Sequence, residues 1–133
     1  MKKYLIDTHI FLWLVFDPDK IENKKLEILK NPKNKIYMAS ISFWEIALKY
    51  NLGKLELNGL APDDLPKIAD KMGIEVLEID KQIMSSFYKL PKVDTNKDPF
   101  DRIIIWKCMN ENLTLLSQDR KFSEYQAFGL NFL

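Results

Sequence analysis

Four carboxylates follow short apolar segments or open the element after one. Asp7 comes after Tyr4-Leu5-Ile6, and Glu45 opens the helix predicted after Ile36-Tyr37-Met38-Ala39. Asp101 belongs to Asp98-Pro99-Phe100-Asp101-Arg102, and Asp119 follows Leu113-Thr114-Leu115-Leu116-Ser117. If those segments are neighbouring strands, the acids gather at the carboxyl edge of a sheet, where α/β proteins build their sites. Two carboxylates ~4 Å apart repel by roughly 4 kcal/mol at an effective dielectric near 20, so such a set requires protons or a cation. Oxygen ligands, with one histidine and one cysteine in the chain, favour Mg²⁺ or Mn²⁺ over zinc. A hard cation held by acids polarises a phosphoryl oxygen and activates a bound water, which points to phosphodiester hydrolysis.

Each acid also has a structural reading. Asp98 before Pro99 is an N-cap signature with Asp101 in the first turn, and Ser42 with Glu45 forms a Ser-x-x-Glu capping box. Glu45 can pair with Lys49 one turn on. Asp7 and Asp119 can be turn caps. Capping explains Asp98 without a cation, so the core set is Asp7, Glu45, Asp101 and Asp119, all four read as metal-binding and catalytic. Around them, Thr8 and Ser117 can hydrogen-bond the acids. Lys49, Lys54, Arg102 and Arg120 can hold phosphates or stand as solvated surface. His9, the sole histidine, sits in a first helical turn, where a structural role outranks ligation. Trp13, Trp44 and Trp106 have helical core spacing, so packing outranks base stacking.

The elements that must position these residues alternate. Tyr4–Ile6 reads as a buried strand, and the apolar helix containing Ile10 to Phe16 stops at Asp17-Pro18-Asp19. A helix is predicted over Ile21–Lys30, a strand over Ile36–Ala39, and a helix capped by Ser40 and Ser42 running to about Asn51. Ile41, Trp44, Leu48 and Leu52 are spaced to form the buried face of that helix. Helical segments follow at Ala61–Lys71 and Asp80–Lys89, with a strand at Ile74–Leu77 between them. Pro91 to Lys97 is a polar loop, Asp98 opens a helix to about Glu111, Leu113–Leu116 is a strand, and Asn131–Leu133 is an edge strand. Alternation of this kind predicts an α/β fold, a three-layer α/β/α sandwich around a central parallel sheet of four or five strands.

The 133 residues, 47% hydrophobic, suit one domain spanning the chain. Lys plus Arg (20) and Asp plus Glu (19) nearly cancel, so polyanion binding must come from a local basic rim. A lone Cys108 in an apolar stretch excludes an internal disulfide and fits a buried position in a reducing compartment. Lys2-Lys3 before an apolar run is only faintly like a signal peptide, since Asp7 and His9 interrupt it. No apolar run approaches the ~18 residues of a membrane span, so a soluble cytoplasmic protein is expected. The glycines form no phosphate-binding loop.

Tyr4-Leu5-Ile6-Asp7-Thr8-His9, Ser40-Ile41-Ser42-Phe43-Trp44-Glu45-Ile46-Ala47-Leu48-Lys49 with Gly53-Lys54-Leu55, Asp98-Pro99-Phe100-Asp101-Arg102, and Leu115-Leu116-Ser117-Gln118-Asp119 with Phe122 and Tyr125 together resemble PIN-domain proteins of the VapC toxin type. The match is ordered and spans nearly the whole chain. The resemblance implies a Mg²⁺- or Mn²⁺-dependent endoribonuclease with Asp7, Glu45, Asp101 and Asp119 as the metal-binding acids and Asp98 at the rim. It also implies cleavage of a tRNA or rRNA loop leaving a 5′-phosphate and a 3′-hydroxyl, a homodimer, and a cognate antitoxin that inserts a segment near the site. Relatives with the Asp-Pro-Phe-Asp-Arg segment often carry a histidine two residues before its first aspartate. Here that place is Asn96.

Two other classes fit parts of the pattern. A receiver-like phosphoacceptor module shares the sheet, the acid pocket and Mg²⁺, but Asp7 has no acidic neighbour and the third strand ends in Glu78. A catalytically silent binding protein would use the acids as caps alone.

Overall fold

The chain alternates strands and helices: β1 (Lys3–Ile6), α1 (Thr8–Phe16), α2 (Asn23–Lys30), β2 (Lys35–Ala39), α3 (Ile41–Asn51), α4 (Leu65–Lys71), β3 (Glu75–Leu77), α5 (Lys81–Ser86), α6 (Pro99–Glu111), β4 (Thr114–Leu116) and β5 (Asn131–Phe132). Short 3-10 turns at Pro18–Lys20, Pro62–Asp64 and Phe87–Lys89 flank helices, and a longer one covers Arg120–Phe128. In this computed structural model, which describes residues 2–133, the strands form one parallel sheet in the order β3-β2-β1-β4-β5.

Strand alternation splits the core into two layers. Leu5, Tyr37, Ala39 and Leu115 point to one face, where they pack with Ile83 of α5, Ile104, Ile105 and Cys108 of α6, and Phe122 and Tyr125. Their neighbours Tyr4, Ile6, Ile36, Met38 and Leu116 point to the other, against Ile10 and Phe11 of α1, Ile46 of α3, and Leu65 and Ala69 of α4. A parallel sheet covered on both faces is the three-layer α/β/α architecture expected from the sequence. Each fully buried Leu or Ile here contributes about 1.5–3 kcal/mol through removal of apolar surface from water.

The helix boundaries follow local chemistry. Asp7, Asp80 and Asp98 cap α1, α5 and α6 through their side chains, Pro99 occupies the first position of α6, and Asn112 ends that helix in a left-handed conformation. The helix predicted from Ile21 begins two residues later, at Asn23, because the 3-10 turn opened by Pro18 consumes Pro18–Lys20. Ser40 occupies the N-cap position of α3 in a helical conformation and makes no capping bond.

A larger difference lies in how α3 is rotated. Its buried residues are Ser42, Glu45 and Ile46, whereas Trp44, Leu48 and Leu52 of the predicted core face are 59%, 37% and 56% exposed. Hydrophobic spacing alone would have turned this helix the other way. Packing of Ile46 against the sheet brings two polar side chains inward instead, because other buried groups hold them there.

Candidate active site

In the strand order, β1 is the centre from which the chain first runs outward to β2 and β3 and then returns to β4 and β5 on the other side. The segments leaving β1 and β4 therefore diverge, opening a crevice at the carboxyl ends of the strands. Asp7 leaves β1 and Ser117 leaves β4 at this point. Register pairs Ile6 with both Met38 and Leu116, so the ends of β1, β2 and β4 are level.

Asp7 is buried, 3% exposed. Its Oδ1 accepts from Ile10 N at 2.9 Å, the cap of α1, and its Oδ2 accepts from the Ser117 hydroxyl at 2.6 Å. Ser117 Oγ in turn accepts from Asp119 N at 3.0 Å, so one hydroxyl ties two of the acids' segments together. Burial raises the Asp7 pKa, opposed by the Ser117 and Ile10 hydrogen bonds and the His9 charge and reinforced by Asp119.

Glu45 is equally buried. Its Oε1 lies 2.7 Å from Thr8 Oγ1, which is also 2.9 Å from Ser42 Oγ. Thr8 has one hydroxyl proton and a carboxylate cannot donate, so Thr8 donates to Glu45 and accepts from Ser42. The Ser42–Glu45 capping box expected from sequence does not form, because Thr8 and Lys49 occupy both partners. Lys49 Nζ sits 2.7 Å from Glu45 Oε2. Desolvation lowers the Lys49 pKa, but the Glu45 hydrogen bond and charge, with Asp98 and Asp101, outweigh it and the net shift is upward.

Asp101, in the first turn of α6, is pushed up to about 7 by burial first and by the Asp98 charge second. Asn96 counteracts this by donating from Nδ2 to Asp101 Oδ2 at 3.3 Å, while the charges of Asp7 and Glu45 add to the rise. Asp98 itself caps α6, accepting from Phe100 N and Asp101 N. Asp119 caps the 3-10 segment Arg120–Phe128, accepting from Lys121 N at 3.0 Å, an element the sequence pattern did not reveal.

Seven polar or charged residues are buried among the described residues, and six of them, Asp7, Thr8, Ser42, Glu45, Asn96 and Ser117, belong to this network. The seventh, Lys107, pairs with Glu111 on α6. Buried polar groups cost stability unless fully bonded, and here each has a partner. Their concentration at one sheet edge marks a site rather than general packing.

Not every residue singled out from sequence joins it. Arg102 donates from Nε to Tyr125 Oη at 3.2 Å and from Nη2 to the carbonyl oxygens of Leu90 and Pro91, and its guanidinium lies 4.8 Å from the Phe87 ring centroid. It anchors the segment before α6 and is half-buried rather than solvated surface. Arg120 and Lys54 are exposed. His9 is exposed beside Trp13, with ring centroids 6.1 Å apart. Trp44, exposed, meets Phe100 edge-on at 5.3 Å. Sequence reasoning missed the Asn96 and Ser42 bonds. The Asn96 bond had a local signal, an asparagine two residues before the Asp98 cap that can turn onto its N–H, whereas Thr8–Ser42 joins residues 34 apart in sequence.

Among the described residues, no three acid, histidine or cysteine side chains close into a ready metal cage. The donor chemistry nonetheless fits a hard cation: Mg²⁺ keeps several waters and is held by one or two carboxylates. Asp7 and Asp101 are the acids whose negative form is disfavoured without a counter-charge, and Glu45 has recruited Lys49 as one.

A three-layer parallel α/β protein with buried, mutually repelling carboxylates at its topological switch point is the class that fold and site define. The PIN domain family matches residues 4–127, and this chain belongs to that family. A comparison with curated proteins gives no match. Among solved structures, the chain is similar to VapBC2 from Rickettsia felis bound to a DNA fragment from its promoter, at 19% identity and TM-score 0.68, covering 98% of this chain and 97% of that one. It is also similar to DNA-bound VapBC from Salmonella typhimurium, at 19% identity and TM-score 0.67 over 100% and 98% of the two chains. VapBC-1 from nontypeable Haemophilus influenzae gives 17% identity and TM-score 0.66 over 98% and 96%.

Proposed function

We propose that this protein is a Mg²⁺- or Mn²⁺-dependent endoribonuclease, the toxin of a toxin–antitoxin pair, acting in the cytoplasm as one domain spanning the chain. The observation that carries the reading is the pairing of buried Asp7 with half-buried Asp101, both raised in pKa, at the sheet edge of a PIN domain. A bound cation favours the ionised form of such groups. VapBC structures of similar fold support the toxin–antitoxin part.

Asp7, Asp101, Glu45 and Asp119 would hold the metal, which when bound would activate a water and neutralise charge on the scissile phosphate. The chain's own residues prepare for this. Ser117 and the α1 amide at Ile10 keep Asp7 oriented with both oxygens fixed, and Thr8 and Lys49 hold one oxygen each of Glu45. Lys49 stands beside Glu45 as a resident cation and would be able to turn towards phosphate if its pairing with Glu45 were released. No helix among the described residues is long and apolar enough to cross a membrane.

Association belongs to the same reading. An open trough of about 590 Å³ is lined only by apolar side chains, among them Trp44 and Leu48 of α3, Met84 of α5 and Phe100 of α6. Exposed apolar surface of this kind marks interfaces, and we assign it to a second copy in a homodimer, leaving the acid crevice to the antitoxin.

The test is incubation of purified, antitoxin-free protein with total RNA in Mg²⁺ or EDTA, mapping new 5′-phosphate ends. Cleavage in Mg²⁺ alone, lost in Asp7→Asn and Asp101→Asn variants that fold normally, is the expected result. Folded protein that binds Mn²⁺ but leaves RNA intact, or cuts equally well as Asp7→Asn, overturns the ribonuclease reading. Absence of metal binding favours a silent protein whose acids serve only as caps and ion-pair partners.

A further inference from the structure

We infer that Asn96 is a positioning residue that fixes the direction of the Asp101 carboxylate at the acid crevice; this rests on the reading of Asp101 as a cation ligand.

Lys92, Asp94, Thr95 and Lys97 of the loop before α6 are exposed, whereas Asn96 is 4% exposed. A neutral amide gains nothing from burial in itself and is costly there unless both ends are bonded. Both ends are bonded, and to the same catalytic segment. Asn96 Oδ1 accepts from Asp98 N at 3.1 Å, and Nδ2 donates to Asp101 Oδ2 at 3.3 Å. The backbone N–H can only donate, so the amide oxygen must face Asp98 and the NH₂ must face the carboxylate. The flipped amide would set donor against donor and oxygen against carboxylate.

The arrangement repeats around the crevice. Ser117 donates to Asp7 and Thr8 donates to Glu45, and each of these donors is itself buried. Asn96 supplies the corresponding donor for Asp101. Asp98 secures the Asp101 backbone through its N–H, and Asn96 secures the side chain, so main chain and carboxylate are held by two neighbouring residues of one turn. An amide adds no charge, so unlike Lys49 on Glu45 it orients its acid without competing with a cation. Buried donors that orient metal-binding carboxylates are worth roughly 10–100-fold in metal affinity or activity.

The experiment measures Mn²⁺ affinity of the full chain by electron paramagnetic resonance without RNA, and kcat and KM on RNA separately. Asn96→Ser keeps an oxygen that can turn onto Asp98 N but cannot reach Asp101. It should weaken Mn²⁺ binding by roughly 10–100-fold, lower kcat, leave KM for RNA unchanged, and have no further effect in an Asp101→Asn background. Asn96→His, which offers a ring N–H donor, should recover part of the affinity, and this variant decides the matter if Asn96→Ser does not fold. Wild-type Mn²⁺ affinity in Asn96→Ser, an undiminished loss in the Asp101→Asn background, or no recovery in Asn96→His overturns the inference. Mn²⁺ binding unaffected by Asp101→Asn instead overturns the reading of Asp101 on which it rests.

Discussion

The Ser117 hydroxyl donates to Asp7 Oδ2 across 2.6 Å, joining residues 110 apart in sequence and tying the end of β4 to the end of β1. The bond stabilises the ionised form of a carboxylate that burial otherwise pushes towards protonation.

Ser117→Ala should therefore raise the Asp7 pKa further and weaken metal binding by about 10–100-fold, with a parallel loss of RNA cleavage. Titration with Mn²⁺ at pH 6, 7 and 8 checks it: the deficit should be largest at the lowest pH. A deficit of equal size at every pH would show that Ser117 does not act through Asp7 ionisation.

Lys49→Met should destabilise the metal-free protein by about 1–2 kcal/mol. It leaves Glu45, whose side chain is 3% exposed, without its cation, and the figure is kept low because the Lys49 side chain is 39% exposed. Saturating Mg²⁺ should shrink that difference by supplying the missing charge. Denaturant melts of both proteins in EDTA and in Mg²⁺ measure it, and an equal cost in the two conditions would separate Lys49 from the metal site.

Asp101, at about 7, lies above the value near 4 of an unfolded aspartate. The folded state therefore binds more protons between those values, so its contribution to stability is fully present below about pH 4 and is lost as pH rises through about 7. In EDTA, wild type should lose stability relative to Asp101→Asn as pH rises from 5 to 8. Mg²⁺ binding near pH 7 should release protons, and affinity should fall as the solution is acidified. Thermal melts across that range, and calorimetry in buffers of different ionisation enthalpy, test both.

Leu48→Lys should leave monomer stability within about 0.5 kcal/mol, as expected of an exposed position, yet abolish self-association. Ile46→Ala, two residues earlier and fully buried, should cost about 2–5 kcal/mol. Sedimentation equilibrium and urea melts distinguish the two, and a dimer that survives Leu48→Lys would place the interface elsewhere.

Much of this molecule is written in local sequence. Tyr4–Ile6, Ile36–Ala39 and Leu113–Leu116 are short apolar runs between turn signals, which is why the parallel sheet could be read directly. Asp98-Pro99 fixes the start of α6 because a cap and a residue without an N–H satisfy that helix end by themselves. The positions of Asp7 and Asp119 just after strands and of Asp101 in the first turn of α6 follow from the same local rules, whereas Glu45 lies in the second turn of α3 rather than at its start. Those rules are short-range, and so they survive without knowledge of the rest of the chain.

What only the tertiary structure decided is which way the side chains turn. The sequence assigned Trp44, Leu48 and Leu52 to the core, yet α3 buries Ser42 and Glu45, because Thr8 from α1 bonds both and Lys49 neutralises the acid. Arg102 stands in a motif beside an acid, yet Tyr125 and two carbonyls draw it away to hold a loop. Asn96 is one polar residue in a polar loop until the fold sets Asp101 against its amide. Hydrophobic periodicity records how much apolar surface a helix carries. The direction that a buried polar group faces is set by partners from distant segments, because a polar group without one could not stay buried.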